Sequence, residues 1–228
     1  MTRPGTAAIL DCWDRLHDRG ILDRAVGLLA LFHPDEAPDA IEGWPVGRRD
    51  AATLAARATV LGDAIHATAA CPQCGTVAEL RFTAADVTAP PASEQAELRL
   101  GNRHLRLRPV TTRDLRHAIR ADRPVLAIAH ACVDGARVDE EDVPAISAGL
   151  QALDPQADIR LALGCDDCGS AWEAPFDVPG YVWSELNGWA RRRLDEVHRL
   201  ASAYGWSERD ILALSPARRD FYLAMCAG

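Results

Sequence analysis

The 228-residue sequence predicts an α+β fold that is mostly helical, built around a discontinuous central β element whose two halves lie far apart in the chain. Three observations predict it. Apolar residues recur at helical spacing towards both ends of the chain. Two short alternating stretches in between each run through a Cys-x-x-Cys-Gly turn. Those stretches also match one another at a fixed offset of 94 residues, pairing Ile65 with Ile159, Cys71 with Cys165, Cys74 with Cys168, Gly75 with Gly169, Glu79 with Glu173 and Phe82 with Phe176. Six identities in an eighteen-residue window mark an internal repeat.

Residues 1–62 read as a helical region. Ile9, Leu10, Trp13 and Leu16 share one helical face, and Ile21, Leu22, Ala25, Val26 and Leu29 share another, with Gly20 as the stop between them. A Pro- and Asp-rich turn follows at Pro34 to Asp39, then a break at Trp44-Pro45. Asp50 to Leu61 carries Leu54, Ala55, Ala58 and Leu61 on one side. The period then changes to two. Residues 63–88 and 157–178 each predict strand, knuckle, strand, so the two halves of the repeat are equivalent hairpins.

Residues 89–156 form an insertion between the halves. It opens on Ala89-Pro90-Pro91, and Leu98, Leu100, Leu105 and Leu107 alternate with charged residues around Gly101-Asn102, a hairpin turn signal. Helices follow: one capped by Thr112 and running through Arg120, one from Pro124 to Cys132, and a third between Asp139–Asp142 and Asp154-Pro155. Residues 179–228 are again helical. Asp177 and Pro179 signal the start of a long helix that ends at Gly205, while Ser207 with Asp210 and Ser215-Pro216 open two shorter ones.

Composition narrows the chemistry. Arg and Lys together number 25 against 33 Asp and Glu, a net charge of −8, which argues against a protein that coats nucleic acid by bulk charge. All 25 basic residues are arginine, so Schiff-base and P-loop lysine chemistry are excluded. The seven cysteines are an odd number with Cys-x-x-Cys spacing, which fits a reducing compartment better than a secreted disulfide framework. The stretch Met1 to Leu16 is interrupted by Asp11 and Asp14 and has no signal-peptide core; the longest apolar run, Ala25 to Phe32, is far too short to cross a bilayer. The expectation is a cytoplasmic chain.

Cys71, Cys74, Cys165 and Cys168 are the candidate metal ligands. A Cys-x-x-Cys-Gly knuckle wraps two thiolates around one side of an ion, and two knuckles complete a tetrahedron. Zinc suits four thiolates because it is borderline-soft and redox-inert; iron fits the same ligands. The competing reading is two unrelated pairs of buried thiols. With four cysteines as ligands no position is left for water, so one structural zinc is expected, holding together a zinc-ribbon-like element interrupted by a hairpin-plus-helices insertion. Glu79 and Glu173 read as solvated strand residues. Cys12, Cys132 and Cys226 read as packing residues in apolar helical patterns.

No nucleophile, base and acid arrangement, phosphate loop or histidine pair at metal spacing stands out, and no enzyme is expected. Between Arg99 and Arg123, eight arginines face only Asp114 and Asp122. Arg113, Arg116 and Arg120 would share one helical face and are candidates for a partner surface, against the plainer reading of a solvated face. A zinc-ribbon nucleic-acid-binding protein using this segment is the alternative function, with the overall acidity counting against it. Trp206 and Tyr222 are candidate partner anchors near the C-terminus, competing with a simple core role.

The combination resembles the T-even-type baseplate hub assembly chaperone or baseplate protein family of tailed phages and phage-like contractile injection systems. The resemblance rests on Pro45-Val46-Gly47-Arg48-Arg49-Asp50, the Cys71-Pro72-Gln73-Cys74-Gly75 knuckle, Thr111-Thr112-Arg113-Asp114-Leu115 and Asp158-Ile159. It is most specific in Tyr204-Gly205-Trp206-Ser207-Glu208 through Ile211-Leu212-Ala213-Leu214-Ser215-Pro216, with Arg218-Arg219 and Tyr222-Leu223. One departure is Asp166-Asp167 in the second knuckle where the first has Pro72-Gln73. The resemblance implies a non-enzymatic baseplate component or assembly factor. Its expected partners are baseplate, hub or spike proteins, and it would act in an oligomer or complex, in the cytoplasm during assembly or retained in a virion or injection particle.

Overall fold

A computed structural model describes residues 3–135 and 137–226. It is a mixed α+β fold. Helices α1 (Thr6–Leu16), α2 (Ile21–Phe32), α3 (Pro38–Glu42) and α4 (Val46–Leu61) precede the hairpin β1 (Ala64–Ala70) and β2 (Val77–Thr83). Next come β3 (Ala96–Leu100) and β4 (Arg103–Leu107), then α5 (Thr112–Ala118), α6 (Pro124–Cys132) and α7 (Val143–Leu153). The third hairpin is β5 (Arg160–Gly164) and β6 (Ala171–Pro175), followed by α8 (Val178–Tyr204), α9 (Glu208–Ala213) and α10 (Pro216–Met225). Each pair of strands is a separate two-stranded antiparallel sheet.

The two cysteine-bearing hairpins, β1–β2 and β5–β6, alternate in burial along their strands. Ile65 pairs with Phe82 and Leu161 with Ala174, in registers that place the matched repeat residues at matched positions. The rings of Phe82 and Phe176, repeat equivalents, meet edge to face with centroids 5.3 Å apart. They pack under the main core, where Ile9, Phe32, Leu54, Ile65, Val182 and Leu186 are buried together. The long helix α8 therefore runs across both the N-terminal helices and the two cysteine-bearing hairpins. Its ends follow from local chemistry: the Asp177 carboxylate accepts from the Gly180 amide, and Gly205 takes the left-handed conformation (φ 68°) that closes the helix.

The insertion gathers a second cluster around Leu105, Leu107, Val133, Ile146 and Leu153. Its β3–β4 turn is the two residues Gly101-Asn102, with Gly101 at φ 58°. It is bound to the start of α4 rather than standing apart. The Val46 amide donates to the Val110 carbonyl at 2.8 Å, the Gly47 amide to Asp154 Oδ2 at 2.8 Å, and the Arg49 guanidinium to the Thr112 hydroxyl at 3.2 Å. Arg49, Asp50, Thr112 and Asp154 are all buried, so a polar seam joins segments more than 60 residues apart.

Several boundaries differ from the sequence expectation. The turn at Pro34 to Asp39 gives way to the short α3, because Pro38 sits at the first helical position where its missing N–H costs nothing. The next helix starts at Val46, directly after Pro45, instead of at Asp50. Thr111, not Thr112, caps α5: its hydroxyl accepts from the Asp114 amide while the Asp114 carboxylate accepts from the Thr111 amide, and Thr112 is buried against Arg49. That helix ends at Ala118, two residues before Arg120.

Candidate metal centre

The two knuckles are built alike. In the first, the Cys71 amide donates to the Thr76 carbonyl at 2.8 Å and the Gly75 amide to the Cys71 carbonyl at 2.9 Å; in the second, Cys165 with Ser170 and Gly169 with Cys165 repeat these bonds at 2.9 Å each. Gly75 and Gly169 take positive φ, 78° and 71°, which a side chain disfavours, so the glycine after each second cysteine is a conformational requirement. The outcome is that Cys71, Cys74, Cys165 and Cys168 converge, with all four sulfurs within 4.8 Å of one another.

Cys71 Sγ lies 3.7 Å from Cys168 Sγ, and Cys74 Sγ 3.5 Å from Cys165 Sγ. A tetrahedron with metal–sulfur bonds of about 2.3 Å places its sulfurs about 3.8 Å apart, so the cluster has the dimensions of a tetrathiolate site. Cys71 and Cys165 are buried, whereas Cys74 and Cys168 reach the surface. The four sulfurs belong to free thiols. Among the described residues this is the one cluster of three or more His, Cys, Asp or Glu able to hold a metal ion.

The surroundings favour thiolate at some positions and oppose it at others. The Ser170 hydroxyl lies 3.2 Å from Cys71 Sγ and 3.1 Å from Cys168 Sγ, and it is the main influence lowering both thiols, Cys71 to about 6. At Cys165 the Cys168 amide favours the thiolate, but burial and the neighbouring Cys74 and Cys168 thiols outweigh it and push this group up to about 11. Four thiolates this close repel one another, and a divalent cation at the centre removes that conflict. The residues thus fit a soft divalent metal, with no further protein ligand needed and no open position for water.

Thr76 and Ser170 are also repeat equivalents at the offset of 94, a seventh, conservative match that sequence reasoning passed over. Both carry a hydroxyl beside a sulfur: Thr76 Oγ1 lies 3.4 Å from Cys74 Sγ and donates to Asp167 Oδ2 at 2.7 Å, linking the first knuckle to the second. Glu79 and Glu173 are exposed on β2 and β6, as expected of solvated strand residues.

The other candidate residues are placed differently from one another. Arg116 is held inside the chain, 2.7 Å from Asp23 and 2.9 Å from Glu42, and Arg113 donates to the Asp39 carbonyl at 2.9 Å. Arg120 is exposed beyond the end of α5, so these three arginines do not form one helical face. Of the rest of that segment, Arg103 pairs with Asp142, Arg108 with Asp114 and Arg123 with Glu140. Four of the eight arginines of the segment are thereby matched by carboxylates inside or outside it, while Arg99, Arg106, Arg113 and Arg120 stay exposed. Trp206 and Tyr222 are half-buried, with centroids 4.9 Å apart, and Trp206 stacks on Tyr204 at 4.7 Å. Together they pack on Val197, Leu200 and Ile211 and hold α9 and α10 against α8. Cys12 and Cys132 are buried as packing residues and Cys226 is half-buried. Among the described residues no helix is long and apolar enough to cross a membrane. No family model, curated protein or solved structure matches the chain.

Proposed function

We propose that the chain is a structural or assembly component of the baseplate of a phage-like contractile tail, stabilised by one zinc ion and acting through protein–protein contacts. The observation that carries the reading is the closed four-cysteine centre, which ties together two ribbon halves separated by an insertion and keeps no coordination position for a substrate. Zinc is the assigned metal because four sulfurs in a tetrahedron suit a borderline-soft ion that needs no redox partner.

The motifs behind the family resemblance support a scaffold role, since they make contacts between elements. Pro45 to Asp50 meets Thr111-Thr112 across the seam between α4 and α5, and the stretch from Tyr204 to Pro216 supplies the helix stop, the two serine caps and part of the aromatic cluster of the C-terminal end. Ile119, Val125, Phe221 and Met225 are large apolar residues left exposed and open to a partner. Against the nucleic-acid reading stand the net charge of −8 and the pairing of Arg103, Arg108, Arg116 and Arg123, four of the segment's eight arginines, with carboxylates.

The test is affinity capture of the tagged full chain from cells that express its genomic neighbours. The proposal expects sheath, tube, hub or spike proteins to be retained. Neighbouring genes that encode no such protein, or capture of none of them, would remove the baseplate assignment while leaving the metal centre untouched.

A further inference from the structure

Hydrogen bonding inside each cysteine-bearing hairpin fixes which backbone groups are left over. In an antiparallel pair alternate residues turn their N–H and C=O towards the partner strand, and the residues between turn them away. The Cys71 amide donates to the Thr76 carbonyl; in the other hairpin the Cys165 amide donates to Ser170 and the Phe176 amide to Ile159. The registers therefore turn the backbone groups of Glu79, Arg81 and Thr83 outward from β2, and those of Arg160 and Ala162 outward from β5. By the same parity Ala64 and His66 point outward from β1, and Pro175 from β6.

Two of these four edges are covered or blunted. On β1 the Ala64 carbonyl accepts from Arg57 at 2.6 Å, and the Tyr181 hydroxyl donates to the His66 carbonyl at 2.9 Å while accepting from the His66 amide at 3.2 Å. On β6 an outward position is Pro175, which has no N–H to offer. The edges of β2 and β5 differ. The Thr83 amide donates to Asp86 Oδ2 at 2.7 Å, but the outward groups of Glu79, Arg81, Arg160 and Ala162 meet no further strand.

Those four residues line one cavity of about 610 Å³. The hairpins lie side by side, joined at one end by the four cysteines and at the other by Phe82 and Phe176. β2 runs away from the cysteines and β5 towards them, so the two open edges are antiparallel across the cavity. Counted from the knuckles, Arg81 is level with Arg160 and Glu79 with Ala162. Strands paired directly lie about 4.8 Å apart and enclose no such space. A strand residue with its side chain fills about 160 Å³, from a rise of about 3.4 Å, a spacing of about 4.8 Å and a depth of about 10 Å, so the cavity holds about four residues.

The lining alternates as a sheet does. Leu80, Leu161 and Leu163 are half-buried, whereas Glu79, Arg81, Arg160 and Ala162 are exposed. Charge narrows the choice further. Among the described residues Arg81 makes no ion pair, and Arg160 pairs with Asp158 alone, at 3.0 Å. Asp86 is taken up by the amide and hydroxyl of Thr83.

We infer that the gap between β2 and β5 takes an extended segment of a partner protein as an added strand: about four residues that alternate apolar with polar and place an acidic side chain between Arg81 and Arg160. The open backbone groups supply affinity, and the alternating lining with its two arginines supplies selectivity. The inference is independent of the baseplate assignment, because open edges recruit a strand whichever protein carries it.

The experiment uses the full, zinc-supplemented, isotope-labelled chain and the peptide acetyl-Val-Thr-Val-Glu-Val-amide as probe, followed by NMR and amide hydrogen exchange. In the free chain the outward amides of Glu79, Arg81, Arg160 and Ala162 should exchange faster than the paired amides of Leu80 and Leu161, and saturating probe should slow those four by about tenfold. Binding should be saturable and one to one. It should weaken by about tenfold when Lys replaces Glu in the peptide or in Arg81→Glu, and vanish when alternate amides of the peptide are N-methylated. Ala162→Pro, which deletes one outward amide and no bond within the hairpin, should weaken it too. Arg81 is exposed, so Arg81→Glu decides the matter even where Ala162→Pro fails to fold. Absence of saturable binding overturns the inference, as do outward amides already protected in the free monomer and an affinity indifferent to N-methylation or to Arg81→Glu. Protection that grows with protein concentration, beside a dimer in sedimentation, would make a second copy of this chain the occupant and overturn the partner assignment.

Discussion

Replacing Gly47 by alanine places a methyl group where the seam between α4 and the insertion has no room. The added Cβ falls inside contact distance of Asp154 Oδ1, and 2.8 Å from both Asp154 Cγ and Gln156 Cβ. Ordinary carbon contacts are about 3.5–4.0 Å, so the carboxylate has to retreat by about 1 Å. Asp154 and Gln156 are each 2% exposed and have nowhere to go without dragging the residues around them. The retreat also weakens the buried bond from the Gly47 amide to Asp154 Oδ2. Overpacking costs about 1–3 kcal/mol and the disturbed buried bond about 1–3 kcal/mol, against a gain of up to about 1 kcal/mol from the better helix former. The net expectation is a loss of about 2–3 kcal/mol, read by urea unfolding. Gly188→Ala in α8 is the control, because its Cβ meets only the movable end of Arg192 at 3.3 Å; it should stabilise by about 0.5–1 kcal/mol. In an Asp154→Ala background the cost of Gly47→Ala should fall by about 1 kcal/mol or more, since the obstructing group is gone. Gly47→Ala as stable as the parent, with Gly188→Ala behaving as expected, would refute the packing described at this seam.

Three further outcomes follow from the charged contacts. Arg57, with its side chain 3% exposed, joins Glu185 at 2.7 Å and donates to the carbonyls of Gly62 and Ala64, so Arg57→Met should cost about 3 kcal/mol in chemical denaturation by leaving a carboxylate and two carbonyls short of a donor. Burial alone would raise the Asp114 carboxyl, but hydrogen bonds from Arg108 and Thr111 outweigh it and hold the group below its usual range. A depressed carboxylate contributes stability above its unfolded value and loses it on acidification, so the stability gap between the parent and Asp114→Asn should be full at pH 7 and close as pH falls below about 4. Arg113→Ala/Arg116→Ala/Arg120→Ala should lose about 1 kcal/mol of stability through the Arg116 pairs. Salt-dependent DNA or RNA binding by the parent that vanishes in this variant would restore the nucleic-acid reading.

The parts legible in the sequence are those whose causes are local. Strand alternation, the Cys-x-x-Cys-Gly turns and the repeat located both cysteine-bearing hairpins, and Asp177, Gly205, Ser207 and Ser215 marked helix ends that form where they stand. Where two neighbours could do one job, a distant residue decided between them. Thr111 and Thr112 can each cap a helix, and Arg49, 63 residues before Thr112, claims the second. The same applies to charge. The arginine segment reads as a basic surface until Asp23 and Glu42, which the chain brings back over 93 and 74 residues, neutralise Arg116. Ser170 was within reach, because aligning the repeat one position past Gly75 and Gly169 pairs two hydroxyl residues. Arg219 carried no such signal: it follows Arg218 in a polar stretch, and only the packing of α10 on α8 buries the one and exposes the other.

The proposed four-thiolate zinc ion would join two hairpins 94 residues apart in the chain. Elemental analysis of the purified chain, beside Cys71→Ser and Cys165→Ser, tests it most directly. About one zinc per chain is expected in the parent, with loss of the metal from both variants, one from each knuckle. A parent that carries no metal, or variants that retain it in full, would show that the four cysteines hold no zinc.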